Sequence, residues 1–153
     1  MFFNIYFKNN SYFSPSHGSH TSFINNKQFN LIMKLDNSKV EFSNKDIIKK
    51  IRIPSTLNSK LAHLIGIHMG DGSMLYNIKK NDYWISYSGN LTEEYDWYFS
   101  YIGPLLKKLF NVNYTVQKDK RIKRTMIRFY FRSKGIVTFM NKSMDLPLGK
   151  KYG

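Results

Sequence analysis

The chain has 153 residues and a formal net charge of +14 at pH 7, from 24 basic and 10 acidic side chains. Such an excess indicates a polyanionic partner, and nucleic acid ranks before a membrane surface because no basic amphipathic helix of the membrane-binding type occurs. The chain lacks cysteine, which excludes a disulfide framework, a thiolate zinc site and a cysteine nucleophile. No apolar run approaches the ~20 residues that span a bilayer, so we expect no membrane partner. We expect an intracellular location, cytoplasmic or organellar, with which the absence of cysteine is compatible.

The N-terminal segment, residues 1–39, is rich in Asn, Ser, His and Phe and shows no clear periodicity. Its run SPSHGSHTS is typical of a loop. We expect a poorly ordered or loose extension here, followed by one folded domain over residues 40–151. That domain begins with a predicted helix over Ser43–Ile51, which Ser43 caps. Its apolar residues recur at helical spacing: Ile47, Ile48 and Ile51.

A second predicted helix, residues 58–70, carries small residues at every fourth position: Ala62, Gly66 and Gly70. Such a row lies on one helix face and allows a second backbone to approach closely. Glycine inside a helix costs ~1 kcal/mol relative to alanine. Two glycines in one helix therefore predict a helix–helix interface.

A single acid, Asp71, follows this helix between Gly70 and Gly72. The helix dipole is negative at that end, so a carboxylate there is disfavoured and a bound cation would offset the conflict. Two paired helices of this kind would bring two acids together over metal. The alternative is structural, because Gly-Asp-Gly is also typical of a helix C-cap and a tight turn.

Two pairs of strands alternate with helices in the rest of the domain. The predicted strands are Ser73–Ile78, Tyr83–Ser88, Val112–Lys118 and Thr125–Arg132. Thr92 is expected to cap the helix between the pairs, and a last helix starts near Ser133. Lys118–Arg124 is predicted as a basic hairpin loop within residues 101–153, whose net charge is +11. This order predicts an α+β fold with a four-stranded antiparallel sheet and helices on one face.

Strand alternation predicts which residues point to the free face of this sheet. A polar face with arginines suits the reading of base edges in a DNA major groove, although a solvated sheet face is the alternative. Together with the adjoining loops, these residues form the expected DNA-binding set: Ser73, Asn77, Lys79, Ser86, Ser88, Asn113, Thr115, Gln117, Lys118, Lys120, Arg121, Lys123, Arg124, Arg128, Tyr130 and Arg132.

With these elements in place, the segment Leu64–Gly72 resembles the nine-residue motif of the LAGLIDADG homing endonucleases. The small residues fall at the packing positions of that motif, and Asp71 falls at its final acid. The resemblance covers roughly residues 40–151. Three further segments are similar to the archaeal-intein-like branch of the family: Ser88-Gly89, Lys107–Phe110 and Leu146–Lys151.

The resemblance implies an αββαββα LAGLIDADG module with a saddle-shaped sheet. It also implies site-specific hydrolysis of phosphodiester bonds in double-stranded DNA with Mg²⁺ or Mn²⁺, as in the mobility of introns and inteins. Asp71 would be the catalytic acid and metal ligand, and the Gly70 carbonyl would assist. Lys151 would be the lysine near the metal centre, while the alternative for Lys150 and Lys151 is a pair of tail charges.

The motif occurs once, and single-motif members of the family act as homodimers, here through helix 58–70. The closing Leu-Pro-x-Gly-Lys-Lys resembles the hinge before a second half, so a paired or truncated half-enzyme is an alternative. A non-catalytic nucleic-acid-binding protein of the same fold, a maturase or regulator, is another. His63 and His68 are five residues apart and share no helix face, so we interpret them as surface or interface histidines rather than metal ligands.

Overall fold

The structure, a computed structural model, describes residues 33–121 and 124–149 of the chain. In chain order its elements are β1 (Met33–Lys34), α1 (Asn44–Ile48), β2 (Thr56–Leu57), α2 (Ser59–Asp71), β3 (Gly72–Asn77), β4 (Asp82–Asn90), α3 (Tyr95–Trp97), a π-helical turn (Tyr98–Ile102), α4 (Gly103–Phe110), β5 (Thr115–Arg121), β6 (Arg124–Arg132), α5 (Lys134–Thr138) and a second π-helical turn (Phe139–Ser143). No helix in the described ranges is long and apolar enough to cross a bilayer.

The four longer strands form one antiparallel sheet in the order β3-β4-β6-β5, while β1 and β2 pair separately. The central strands β4 and β6 pair from Trp84 with Arg132 to Asn90 with Met126. From α2 onward the elements follow the predicted order of helix, two strands, helix, two strands and helix. The predicted α+β class with a four-stranded antiparallel sheet is therefore confirmed.

The hydrophobic core lies between one face of this sheet and the helices. On β6 the alternate residues Ile127, Phe129 and Phe131 are at most 3% exposed. The Phe129 ring stacks on Tyr114 and meets Tyr98 edge-on, with ring centroids 4.3 and 5.2 Å apart. Full burial of each such side chain contributes about 1.5–3 kcal/mol. The opposite face of β4 and β6 is therefore not part of this core.

The first predicted helix is shorter than expected. Ser43 caps it in a capping box with Asp46, but α1 ends at Ile48 and Lys50 adopts a left-handed backbone with φ 53°. Ile47 and Ile48 are 65% and 78% exposed, while Ile51 is buried. Helical spacing therefore did not place the three isoleucines on one buried face, because the chain leaves the helix before Ile51.

The helix after β4 also begins differently from the prediction. The side-chain oxygen of Asn90 accepts the backbone N–H of Thr92 at 2.8 Å, and α3 begins only at Tyr95. An Asn side chain readily forms such a turn with the backbone two residues on. Thr92 is therefore a turn residue rather than the predicted cap.

Residues 33–39 contact the domain that follows them. Leu35 donates its N–H to the Ser55 carbonyl at 2.9 Å, and Asn37 donates to the Pro54 carbonyl at 2.8 Å. With β1 paired to β2, residues 33–39 of the expected extension lie against the domain. The remainder of that expected extension, residues 1–32, lies outside the described residues.

The predicted basic loop of residues 118–124 is mostly strand. β5 starts three residues later than predicted, at Thr115, and continues to Arg121, and β6 already begins at Arg124. Pairing of Arg121 with Arg124 extends the ladder to the end of the hairpin. The two intervening positions, including Lys123, lie outside the described residues.

Candidate nucleic-acid interface

The sheet face opposite to the core, hereafter the open face, collects side chains from all four strands. The register aligns them in three rows across the strands: Leu75–Trp84–Arg132, then Ser73–Ser86–Tyr130–Thr115, then Ser88–Arg128–Gln117. Thr115, Gln117 and Arg132 are exposed. Eight residues of the expected DNA-binding set thus share one face.

The two arginines of this face are held in place by neighbours. Arg128 donates from Nε to the Ser88 hydroxyl at 3.0 Å. Arg132 pairs through Nε with the Asp82 carboxylate at 3.3 Å, and its guanidinium lies 5.6 Å from the Tyr130 ring centroid. A guanidinium has five N–H donors in a fixed fork. Both arginines therefore keep donors for an acceptor such as a guanine edge.

Other members of the expected DNA-binding set differ in their exposure and in their hydrogen bonds within the chain. Ser86 is only 5% exposed within its row, so its hydroxyl is poorly accessible. The Asn77 side chain accepts the Lys80 N–H at 3.1 Å in the turn after β3, where Lys79 is exposed. Asn113 precedes β5 and accepts a hydrogen bond from Lys107 at 2.9 Å.

Lys118 lies on the other side of the sheet. It pairs with Ile127, a core residue, and its ammonium lies 4.7 Å from the Tyr95 ring centroid and 5.5 Å from that of Phe99. Such contacts are cation–π interactions. Lys118 is thus separated from the arginines of the open face. The side chains of Lys120, Arg121, Lys123 and Arg124 lie outside the described residues.

Trp84 and Leu75 also lie on the open face, and neither belongs to the expected set. The Trp84 ring is 6.4 Å from that of Tyr130, and in the register Trp84 stands between Leu75 and Arg132. The signal was present in the sequence, because Trp84 has the same strand parity as Ser86 and Ser88. Trp84 is apolar, so a DNA-binding set defined by polar side chains does not include it.

The small residues of α2 face solvent. Ala62, Gly66 and Gly70 are exposed, and a Cβ placed on either glycine would meet nothing within 4 Å. Packing within the described chain therefore gives no reason for these two glycines. Gly72 is different, because a Cβ there would lie 2.4 Å from Nδ1 of His68. That glycine permits the direct passage from α2 into β3.

Asp71 is the last residue of α2 and is exposed. The Tyr98 hydroxyl is buried, with no hydrogen-bond partner among the described residues. Burial raises the pKa of Tyr98 above its ordinary value, and the charges of Asp71 and Glu94 raise it further. Tyr98 therefore remains a neutral hydroxyl in the electrostatic field of the Asp71 carboxylate.

The two histidines of α2 have aromatic neighbours. His68 is 2% exposed, and its Nδ1 lies 3.3 Å from the hydroxyl of Tyr87, whose pKa burial raises. His63 is exposed and hydrogen-bonds the Tyr101 hydroxyl. Across residues 33–121 and 124–149, no group of three or more His, Asp or Glu side chains could hold a metal ion.

Asp71 and Gly70 nevertheless offer the oxygen ligands that Mg²⁺ prefers. The Gly70 carbonyl is among the last four of α2, which have no partner within the helix. Mg²⁺ commonly binds proteins through one or two carboxylates together with substrate phosphates and water. One carboxylate per chain fits such a site only partly. Lys151 lies outside the described residues.

Comparisons of the chain with protein-family models, with curated proteins and with solved structures found no match.

Proposed function

We propose that this protein is a site-specific DNA endonuclease of the LAGLIDADG type, with an αββαββα module and a saddle-shaped sheet. The observation that carries the proposal is that one domain has two distinct surfaces. One is the open face, with Arg128 and Arg132. The other is α2, with its exposed small residues and its terminal Asp71.

In this proposal the open face binds the major groove of double-stranded DNA. Guanidinium groups recognise guanine O6 and N7 bidentately, and amide side chains such as Gln117 recognise adenine. Ser88 and Asp82 orient the two arginines, which lowers the entropy lost when they contact bases. The charge of +14 adds attraction to phosphates that does not depend on sequence.

Two copies of the chain would pair through α2. The absence of side chains at Gly66 and Gly70 allows a second backbone to approach closely, and it brings the two Asp71 carboxylates together. Asp71 and Gly70 would hold a divalent ion at this interface, as oxygen ligands suited to Mg²⁺ or Mn²⁺. A divalent ion bound there supplies activation of water and stabilisation of the leaving oxygen in phosphodiester hydrolysis. The arginines of the open face would position the scissile strand.

The test is cleavage of a pool of random-sequence DNA duplexes in Mg²⁺, with the new ends captured and sequenced. The unmodified chain is expected to produce ends at a defined site. Asp71→Asn is expected to lose cleavage and retain binding, while Asp96→Asn, which changes an exposed acid on α3, retains both. Cleavage by Asp71→Asn at the unmodified rate would overturn the catalytic role.

A non-catalytic DNA-binding protein of the same fold is the second candidate, favoured by the single carboxylate at the end of α2. It predicts binding without strand scission at any concentration of Mg²⁺ or Mn²⁺. Light scattering of the chain with and without DNA distinguishes a dimeric enzyme from a half-enzyme. A dimer supports the complete endonuclease, and a chain that stays monomeric on DNA supports a half-enzyme that requires a partner chain.

A further inference from the structure

A basic cleft lies beside the open face, at the end of the sheet. α1, the turn between β3 and β4, and the junction of β6 with α5 enclose an open cleft of about 660 Å³. We name it the α1 cleft. Its wall includes four cationic side chains: Lys45, Lys49, Arg132 and Lys134. Because Arg132 belongs to both surfaces, the α1 cleft and the open face are continuous.

Two of these cations have acidic partners. Arg132 pairs with Asp82, and Lys134 pairs with Glu41 at 2.8 Å. Lys45 and Lys49 are exposed, and in the part of the chain that the structure describes neither has an acidic partner within 4 Å. The uncompensated charge of the cleft therefore comes from these two lysines.

Asp46, which lies between the two lysines in the sequence, is buried and does not line the cleft. It is 1% exposed, and its Oδ2 accepts the hydroxyl of Ser43 at 2.8 Å and the N–H of Gly135 at 3.1 Å. Asp46 also accepts the backbone N–H of Ser43 at 2.9 Å, so its carboxylate is occupied by donors at the starts of both α1 and α5. An anion in the cleft would be attracted by the lysine side chains rather than by the ends of these short helices.

The α1 cleft lies beyond the end of strand β6. β4 and β6 have nine residues each and span about 30 Å at ~3.3 Å per residue. That length matches the rise of about nine base pairs at 3.4 Å each. The cleft follows Arg132, the last residue of β6, so a longer duplex that follows these strands would pass over it.

We propose that the α1 cleft binds the phosphodiester backbone of duplex DNA that extends beyond the open face, and this inference depends on the proposed DNA binding. Lys45 lies in α1, and Lys49 is the C-cap residue four positions on, still with right-handed backbone, so both lie on one side of this helical turn. A lysine ammonium contacts phosphate as a point charge. These contacts add affinity and fix register without reading sequence.

The test measures the salt dependence of DNA binding by fluorescence anisotropy, with random-sequence duplexes of about 10 and about 30 base pairs, one and three helical turns. The double variant Lys45→Gln/Lys49→Gln is compared with Lys60→Gln/Lys108→Gln. In the control pair a side-chain hydrogen bond with Lys108, followed by the charge of Lys108, lowers the pKa of Lys60, so those two lysines are neighbours on the helix layer. Lys45→Arg/Lys49→Arg retains the charge and tests rescue.

On the long duplex, Lys45→Gln/Lys49→Gln is expected to reduce the slope of log K against log salt by about two, near 0.9 per phosphate contact. On the short duplex its slope should match that of the unmodified chain, and the Arg variant should restore the slope. An unchanged slope on the long duplex, an equal reduction on the short one, or an equal reduction by the control pair would overturn the inference. If the unmodified chain binds neither duplex, the proposed function fails together with it.

Discussion

The open face of the sheet and the exposed side of α2 are both accessible to solvent, yet their chemistry is opposite. The open face presents Arg128 and Arg132 with hydroxyl, amide and aromatic groups. The exposed side of α2 presents Ala62, Gly66 and Gly70 and carries no Lys, Arg, Asp or Glu between Leu61 and Gly70. Charge acts at long range and small residues act only at contact. One surface is therefore suited to attract a polyanion, and the other to pack against a backbone.

Gly72→Ala tests whether the junction between α2 and β3 tolerates a side chain. A Cβ there would lie 2.7 Å from the Cα of His68, so backbone must shift, and we expect a loss of about 3 kcal/mol in the free energy of unfolding. Urea denaturation measures this loss. Unchanged stability would show that the junction relaxes freely and that Gly72 carries no packing constraint.

Arg128→Gln tests the open face. A bidentate contact to a base contributes about 1–3 kcal/mol to discrimination against the wrong base. Affinity for the DNA site identified in the cleavage experiment should therefore fall by roughly 30-fold, about 2 kcal/mol. Arg52→Gln removes an exposed arginine outside the sheet and serves as the matched control. Equal losses for the two variants, measured by anisotropy, would mean that binding depends on total charge rather than on this face.

Gly66→Ala separates the contribution of α2 to the stability of the monomer from its proposed role in self-association. Since nothing lies within 4 Å of the added Cβ, the monomer should gain about 1 kcal/mol in stability from the better helix former. The same Cβ should weaken self-association, which light scattering detects as a lower mass at equal concentration. A stabilised chain with undiminished self-association would exclude the small-residue row as the interface.

Glu41→Gln tests an ion-pair cluster that lies outside both the open face and α2, and its effect is on the pH dependence of stability. Hydrogen bonds from Lys134, then Lys142, lower the pKa of Glu41 from 4.5 to about 2. A lowered folded-state pKa stabilises the fold above pH 4.5, and this contribution is lost as the pH falls towards 2.

The Gln variant should therefore show a flatter decline of melting temperature between pH 4.5 and 2 than the unmodified chain. Glu93→Gln removes an exposed carboxyl elsewhere and should leave that decline unchanged. Parallel declines for the unmodified chain and Glu41→Gln would contradict the proposed ion pairs.

Most of the fold class followed from local pattern. The alternation that put Phe129 in the core and Arg128 on the opposite face has a period of two, which is a property of the strand itself. The prediction was wrong where a neighbour overrides local preference. The Asn90 side chain accepts the N–H of Thr92 itself, which holds Thr92 in a turn instead of at the helix cap. The hairpin ladder extends strand into the predicted loop.

Parity also explains the different positions of Lys118 and Arg128, since these residues stand on opposite faces of paired strands. The α1 cleft, in contrast, had no sequence signal, because Lys45, Asn81 and Lys134 come from three distant segments that meet only in the folded chain. Local periodicity and composition were thus sufficient for the strand faces, the excess of positive charge and the small-residue row of α2. The hydrogen bond from Gly135 to Asp46 and the α1 cleft depended on contacts between remote segments, which no local pattern encodes.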